Sequence, residues 1–242
     1  MTKRVENIWI EYVFQIKDHD DKKLRVILDK ETLIAKHPEG SSEQEWTRLD
    51  FEKCEICPLS SKKIRNCPIA FNISGLAKEF SDFFSIHESL ITVNVAERSY
   101  SKKDTVQQGL RSILGIYLAT SGCPHMEILK PMARFHLPFA SVEETIYRHS
   151  CNFLLGEFFE FYEKGNIELN MQKLIDKYDD INIVNTGICN RIEKITAGDA
   201  NKNALIILNV IGLMLKMELE GNLKSLKYLF KNSDVKPKKR KK

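Results

Sequence analysis

No run of apolar residues in this chain is long enough to cross a bilayer. The longest, Ala204 to Leu215, is interrupted by Asn209 and falls short of the roughly 20 residues a spanning helix needs. Nor does the beginning read as a secretion signal. Lys3 and Arg4 are followed by Glu6, Asn7 and Glu11, which break any apolar stretch. There is no G-x-x-x-x-G-K-[ST], no G-x-G-x-x-G and no G-x-S-x-G, so nucleotide-binding and acyl-transfer readings have no motif to stand on. H-E-x-x-H is missing, as is a Glu-x-x-His pair on a helix. No internal repeat is visible. Basic charge is scarcer than the formal net of +4 suggests, because the last seven residues, Lys236 to Lys242, hold six positive charges. Without them the body is slightly acidic, which argues against a nucleic-acid-binding face. These absences point to a cytoplasmic protein without a membrane segment.

What is present is an ordinary soluble composition, 43% hydrophobic and 29% charged over 242 residues, enough for a substantial core. Ile8, Ile10, Tyr12, Phe14 and Ile16 alternate with polar residues and predict a half-buried strand over 8–16. A turn at Asp18–Asp21 and a partner over 24–28 complete a hairpin. Leu33-Ile34 is a short third strand, residues 44–51 pair back onto the sheet, a helix runs from Ser74 to Phe84, and Leu90 to Ala96 forms another strand. From Asp104 the pattern turns helical. Val106, Leu110, Ile113, Leu114, Tyr117 and Leu118 make one stripe, and Gly122 is placed to end that helix. Ser141 with Glu144 is a capping box for a helix to about Glu163. Two more helices are expected near 168–195, with a break at 179–185, and near 199–219. The last is apolar nearly all round and so predicted to be central. The expectation is an α+β fold: a small antiparallel sheet of four or five strands over 1–103, a helical bundle over 104–228 packed on it, and a disordered basic tail at 229–242.

Chemistry concentrates in the six cysteines. Three precede proline: Cys57-Pro58, Cys67-Pro68 and Cys123-Pro124. Cys54 and Cys57 form a C-x2-C turn, and Cys67 follows nine residues later, so the loop 54–67 can fold three sulfurs toward one point. Thiolates are the ligands of tetrahedral Zn2+ and of iron–sulfur clusters. Cys123 is the leading fourth ligand and His125 the alternative. Zinc is favoured slightly, since structural zinc is the commoner use of such a turn. Lys62, Lys63 and Arg65 in the loop would lower the thiol pKa values. Two plainer readings stand beside the metal: small buried side chains and a thiol–disulfide switch. Cys151 and Cys189 fall in predicted helices and read as core.

A second constellation spans 123–139. His125, Glu127, Lys130, Arg134 and His136 are set among apolar residues, an arrangement that requires pairing. Either Glu127 pairs with Lys130 or Arg134 in an internal network, or Lys130, Arg134 and His136 meet a small anionic ligand. Glu144 and Arg148 read as a surface i,i+4 pair. His149 and Glu157, with His125, Glu127 and His136, form a weaker His/carboxylate set. The tail offers a nuclear address, a nonspecific grip on nucleic acid through residues 236–242, or merely solubility.

The combination C-x2-C-P-L, N-C-P-I-A, S-G-C-P and L-K-P-M-A-R-F-H-L-P-F-A resembles a family of bacterial proteins of unknown function, over roughly residues 8–225. Leu129 to Ala140 is its most specific stretch. The resemblance implies a bacterial cytosolic setting and points to Cys54, Cys57, Cys67 and Cys123 as a set. It carries no activity. The functional expectation is a zinc-binding (alternatively iron–sulfur) binding or regulatory protein, with an enzyme or ligand sensor built on Lys130, Arg134 and His136 as the other class.

Overall fold

A computed structural model of the chain describes residues 7–36, 40–165, 170–195 and 197–230. Four strands, β1 (Ile8–Ile16), β2 (Lys22–Leu28), β3 (Glu88–Val95) and β4 (Ser99–Thr105), form one antiparallel sheet in the order β2-β1-β3-β4. The alternation in β1 sets its two faces: Ile10, Tyr12, Phe14 and Ile16 are buried. Tyr12 stands opposite Leu24 on one side and Val93 on the other. The expected hairpin is therefore present, with Asp18 in the left-handed region (φ 61°) at its turn. β4 has no apolar alternation because it is the sheet's edge, where solvated lysines such as Lys102 and Lys103 discourage pairing with another chain.

Two expected strands are not there. Leu33-Ile34 leads only to a single bridge between Leu28 and Ala35, and residues 44–51 hold a 3-10 turn, Glu45–Thr47, with one bridge from Arg48 to Asn66. The intervening residues 37–39 lie outside those described.

The first helix, α1 (Pro68–Glu79), begins six residues before the expected start. Cys67 is its extended N-cap and Pro68 its first residue, a position where the missing N–H costs nothing and the fixed φ is already helical. α2 (Val106–Ala119) buries the whole predicted stripe. It lies so close to the sheet that a Cβ on Gly109 would stand 2.3 Å from the Phe14 ring. A 3-10 turn, Pro124–Leu129, and the five-residue α3 (Lys130–Arg134) follow, Pro131 opening α3 rather than breaking it.

α4 (Val142–Lys164) carries the predicted capping box. Glu144 N–H donates to Ser141 Oγ (3.1 Å) and Ser141 N–H to the Glu144 carboxylate (2.8 Å). Gly165 closes it at φ 78°. α5 (Gln172–Glu193) runs without the expected break, and α6 (Ala200–Glu220) packs against α5 and α2. α6 is not enclosed: Ile206, Val210, Leu213, Met214 and Met217 are exposed, as are several aromatics of α4. The described residues close with a 3-10 turn, Lys224–Phe230. Residues 231–242, most of the predicted tail, are outside the described set. Sheet and helices share one continuous core.

Candidate functional site

The segment that leads into the cysteine loop is seated by one side chain of α5. Arg191, 1% exposed, donates from Nη1 to the carbonyls of Trp46 (2.6 Å) and Arg48 (2.8 Å) and from Nη2 to that of Leu49 (3.1 Å). Three carbonyl dipoles thus surround a buried cation. Beyond them the chain turns, Cys57 N–H donating to the Cys54 carbonyl (3.0 Å). Cys54 Sγ lies against α5 at Gly187, where an added Cβ would come within 2.7 Å of it. Cys67 N–H donates to the Thr47 carbonyl (2.8 Å), tying the end of the loop back to its beginning. Cys123 N–H donates to Ser121 Oγ (3.1 Å) at the end of α2. Cys67 and Cys123 share one local form, an extended cysteine with a proline opening the turn behind it.

Cys54 and Cys123 both feel the neighbouring thiols. Burial pushes Cys54 up to about 11, Cys67 and Cys57 add to the rise, and Arg191 opposes it. Burial pushes Cys123 up to about 12; the His125 backbone N–H opposes this, and Cys67, Cys54 and Cys57 again raise it. All four are free thiols. Among the described residues no three His, Cys, Asp or Glu side chains stand positioned to hold a metal ion as they are. The cation acting on Cys54 is Arg191 rather than the loop residues Lys62, Lys63 and Arg65, which are exposed, Arg65 being paired with Glu43 at 2.9 Å. Arg191 was detectable as a charged residue inside the apolar stripe Ile181, Val184, Ile188 and Ile192, where nothing but a buried acceptor set explains it.

His125 is fully engaged. Its Nδ1 meets the Asp180 carboxylate and its Nε2 the Ile56 carbonyl, both at 3.0 Å. Both ring nitrogens are thus taken up by protein acceptors, and His125 clamps the cysteine loop to α5. Of the other cysteines, Cys151 is exposed rather than in the core, and Cys189 is half-buried.

Lys130, Arg134 and His136 do not share one point. Lys130 pairs with Glu127 at 2.7 Å, as the internal-network reading expects. Arg134 and His136 line a cleft of about 530 Å³ together with Lys30, Arg98 and Arg148. His136 and Arg148 also belong to a second, largely apolar cavity of about 170 Å³ bounded by α2, α3, α4, α5 and α6. His136 Nε2 is 2.5 Å from Tyr12 Oη, which donates to Ser112 Oγ (2.9 Å). Tyr178 Oη is bonded to His149 Nδ1. Burial, with help from Arg148, lowers His136 to about 3 and His149 to about 4, so both are neutral at pH 7. Arg148, half-buried, donates to the Phe135 carbonyl and also feels the Glu144 carboxylate one helical turn away. The remaining members of the His/carboxylate set are dispersed, Glu157 for example pairing with Lys173 at 3.2 Å.

The architecture is α+β, with a cysteine loop and two adjoining cavities at the junction of sheet and helices. Residues 10–231 match the profile of a family described as a domain of unknown function, DUF6901, and the chain belongs to that family. No curated protein and no solved structure matches it. Among the described residues no helix is long and apolar enough to cross a membrane.

Proposed function

We propose that this is a metal-binding protein whose centre is made by Cys54, Cys57, Cys67 and Cys123, with Zn2+ as the resident ion. One observation carries the reading: thiols from three separate elements of the chain gather closely enough for Cys57 and Cys67 to oppose the ionisation of both Cys54 and Cys123. Ionised without a cation, such a set repels itself; a divalent ion reverses the balance and deprotonates the thiols it binds. Closing the set asks the four sulfurs to turn toward a common centre about 2.3 Å from each. Cys54 and Cys57 sit on one turn and Cys67 and Cys123 on extended residues, so the reading requires their side chains to turn toward one point. Arg191 offsets part of the negative charge of a four-thiolate zinc site, and the His125 clamp holds the loop in place.

The role that follows is binding or regulation in a reducing, cytosolic compartment, where thiols persist. No reaction is assigned to the centre. Titration with Co2+ under anaerobic conditions tests the reading. Saturation at one ion per chain, with thiolate-to-metal absorption and release of protons at pH 7, is the expected result. Absence of charge-transfer bands, or uptake undiminished in Cys67→Ser and Cys123→Ser, would contradict it. Iron and a brown colour in protein purified without oxygen would assign the same thiolates to a cluster.

A further inference from the structure

The cleft and the apolar cavity share a wall made by His136, Leu137 and Arg148. We propose that together they bind an amphipathic anion, its charged head in the cleft and its apolar body in the cavity. This site is independent of the cysteines.

The cleft side supplies cations. Lys30, Arg98, Arg134 and Arg148 line it, against Glu97 as its one acidic wall residue. None of the four cations is ion-paired among the described residues. Arg148 is the informative one. It is half-buried, burial disfavours its charged form, and its guanidinium keeps donors beyond the one given to the Phe135 carbonyl. A planar fork with spare donors facing a cleft suits a carboxylate or a phosphate ester.

The cavity side supplies apolar surface from residues such as Leu129, Met132, Ile181, Leu208 and Leu215. Its 170 Å³ slightly exceeds the ~150 Å³ of an apolar cavity that stays dry and takes up benzene. It therefore fits a body of about six to eight carbons. At the shared wall His136 is neutral and bonded to Tyr12, so the boundary between the two spaces carries one charge, that of Arg148, on the side where the head would lie.

Calorimetry on the full chain with octanoate, octyl phosphate, 1-octanol and inorganic phosphate tests this. At least one octyl anion should bind about tenfold or more tightly than either octanol or phosphate, and the preference between the two anions identifies the head group. Arg98→Gln with Arg134→Gln should weaken the octyl anions by about tenfold and leave octanol unchanged. Gly115→Val reaches the cavity from α2, where a Cβ meets only Leu208 at an ordinary 3.7 Å. It should weaken every octyl probe and spare phosphate, and Leu208→Trp provides the same obstruction from α6 should the first variant fold poorly. The proposal is overturned if octanol binds as well as the anions and the arginine variants change nothing, since that is an apolar void without a head-group site. It is equally overturned if no probe binds at millimolar concentration, or if both cavity-filling variants bind as the parent does.

Discussion

Arg191 holds three backbone carbonyls on the approach to the cysteine loop while lying almost entirely out of water. Removing its head takes the donor from the Trp46 and Leu49 carbonyls, a cost of about 1 kcal/mol or more for each, while the Arg48 carbonyl keeps the Phe51 N–H at 3.2 Å. Arg191→Met keeps the stem and discards the donors, so it should lower the unfolding free energy by about 2 kcal/mol or more. Urea denaturation measures this, and an unchanged midpoint would show that the carbonyls find other partners. His136 and His149 make a second prediction. Their native pKa values, about 3 and about 4, lie below the ordinary 6.5, so the unfolded chain takes up protons that the native chain refuses. Stability should be full above pH 6.5 and fall as the pH drops toward 4. Between pH 7 and pH 5 the loss is on the order of 2 kcal/mol in total, allowing for the partly exposed edges of both rings. Denaturation curves at the two pH values should show it, and His136→Asn with His149→Asn should flatten it. A profile equally steep in the double variant would assign the acid sensitivity to other groups.

Elements were legible where periodicity and capping agreed. β1, α2 and the capping box of α4 follow directly from alternation, stripe and Ser141–Glu144. α1 starts six residues earlier than expected because Pro68 is its first helical residue behind Cys67. The same form recurs at Cys123-Pro124: these two Cys-Pro pairs, unlike Cys57-Pro58, put a thiol on an extended residue at the mouth of a helical turn. β4 escaped notice because an edge strand has no buried face to betray it. α6 looked central from composition alone, which cannot tell apolar contact with the molecule from apolar surface facing outward. For the candidate site, spacing and the Cys-Pro form point to Cys54, Cys57, Cys67 and Cys123 as the set proposed above. Arg191 stood out only as a charge within the apolar stripe of α5, and Asp180 and the engagement of His125 could not be read at all, because they depend on where α5 lies. α5 also yields a test. Gly187 lets Cys54 Sγ approach the helix, and Gly187→Ala would place a methyl 2.7 Å from that sulfur. The loop must shift, at about 1–3 kcal/mol, and Co2+ affinity should fall because one ligand is displaced. Parent-like affinity would mean that Cys54 is not a ligand.

At the scale of the whole molecule, the cysteine loop comes from the sheet half, Cys123 from the helical half, and α5 touches the loop through Arg191, Gly187 and the Asp180–His125 contact. A metal at that junction would fasten the two halves to each other, and its binding energy would count as folding energy. Removing it should therefore lower thermal stability as well as empty the site. The most direct measurement is elemental analysis of the full chain purified without oxygen, alongside the four single variants Cys54→Ser, Cys57→Ser, Cys67→Ser and Cys123→Ser and the control Cys151→Ser. The account predicts about one zinc per chain in the parent and the control, and a large loss in each of the four variants. A parent chain that carries no zinc or iron, takes up neither on reconstitution, and differs in nothing from Cys123→Ser would contradict it.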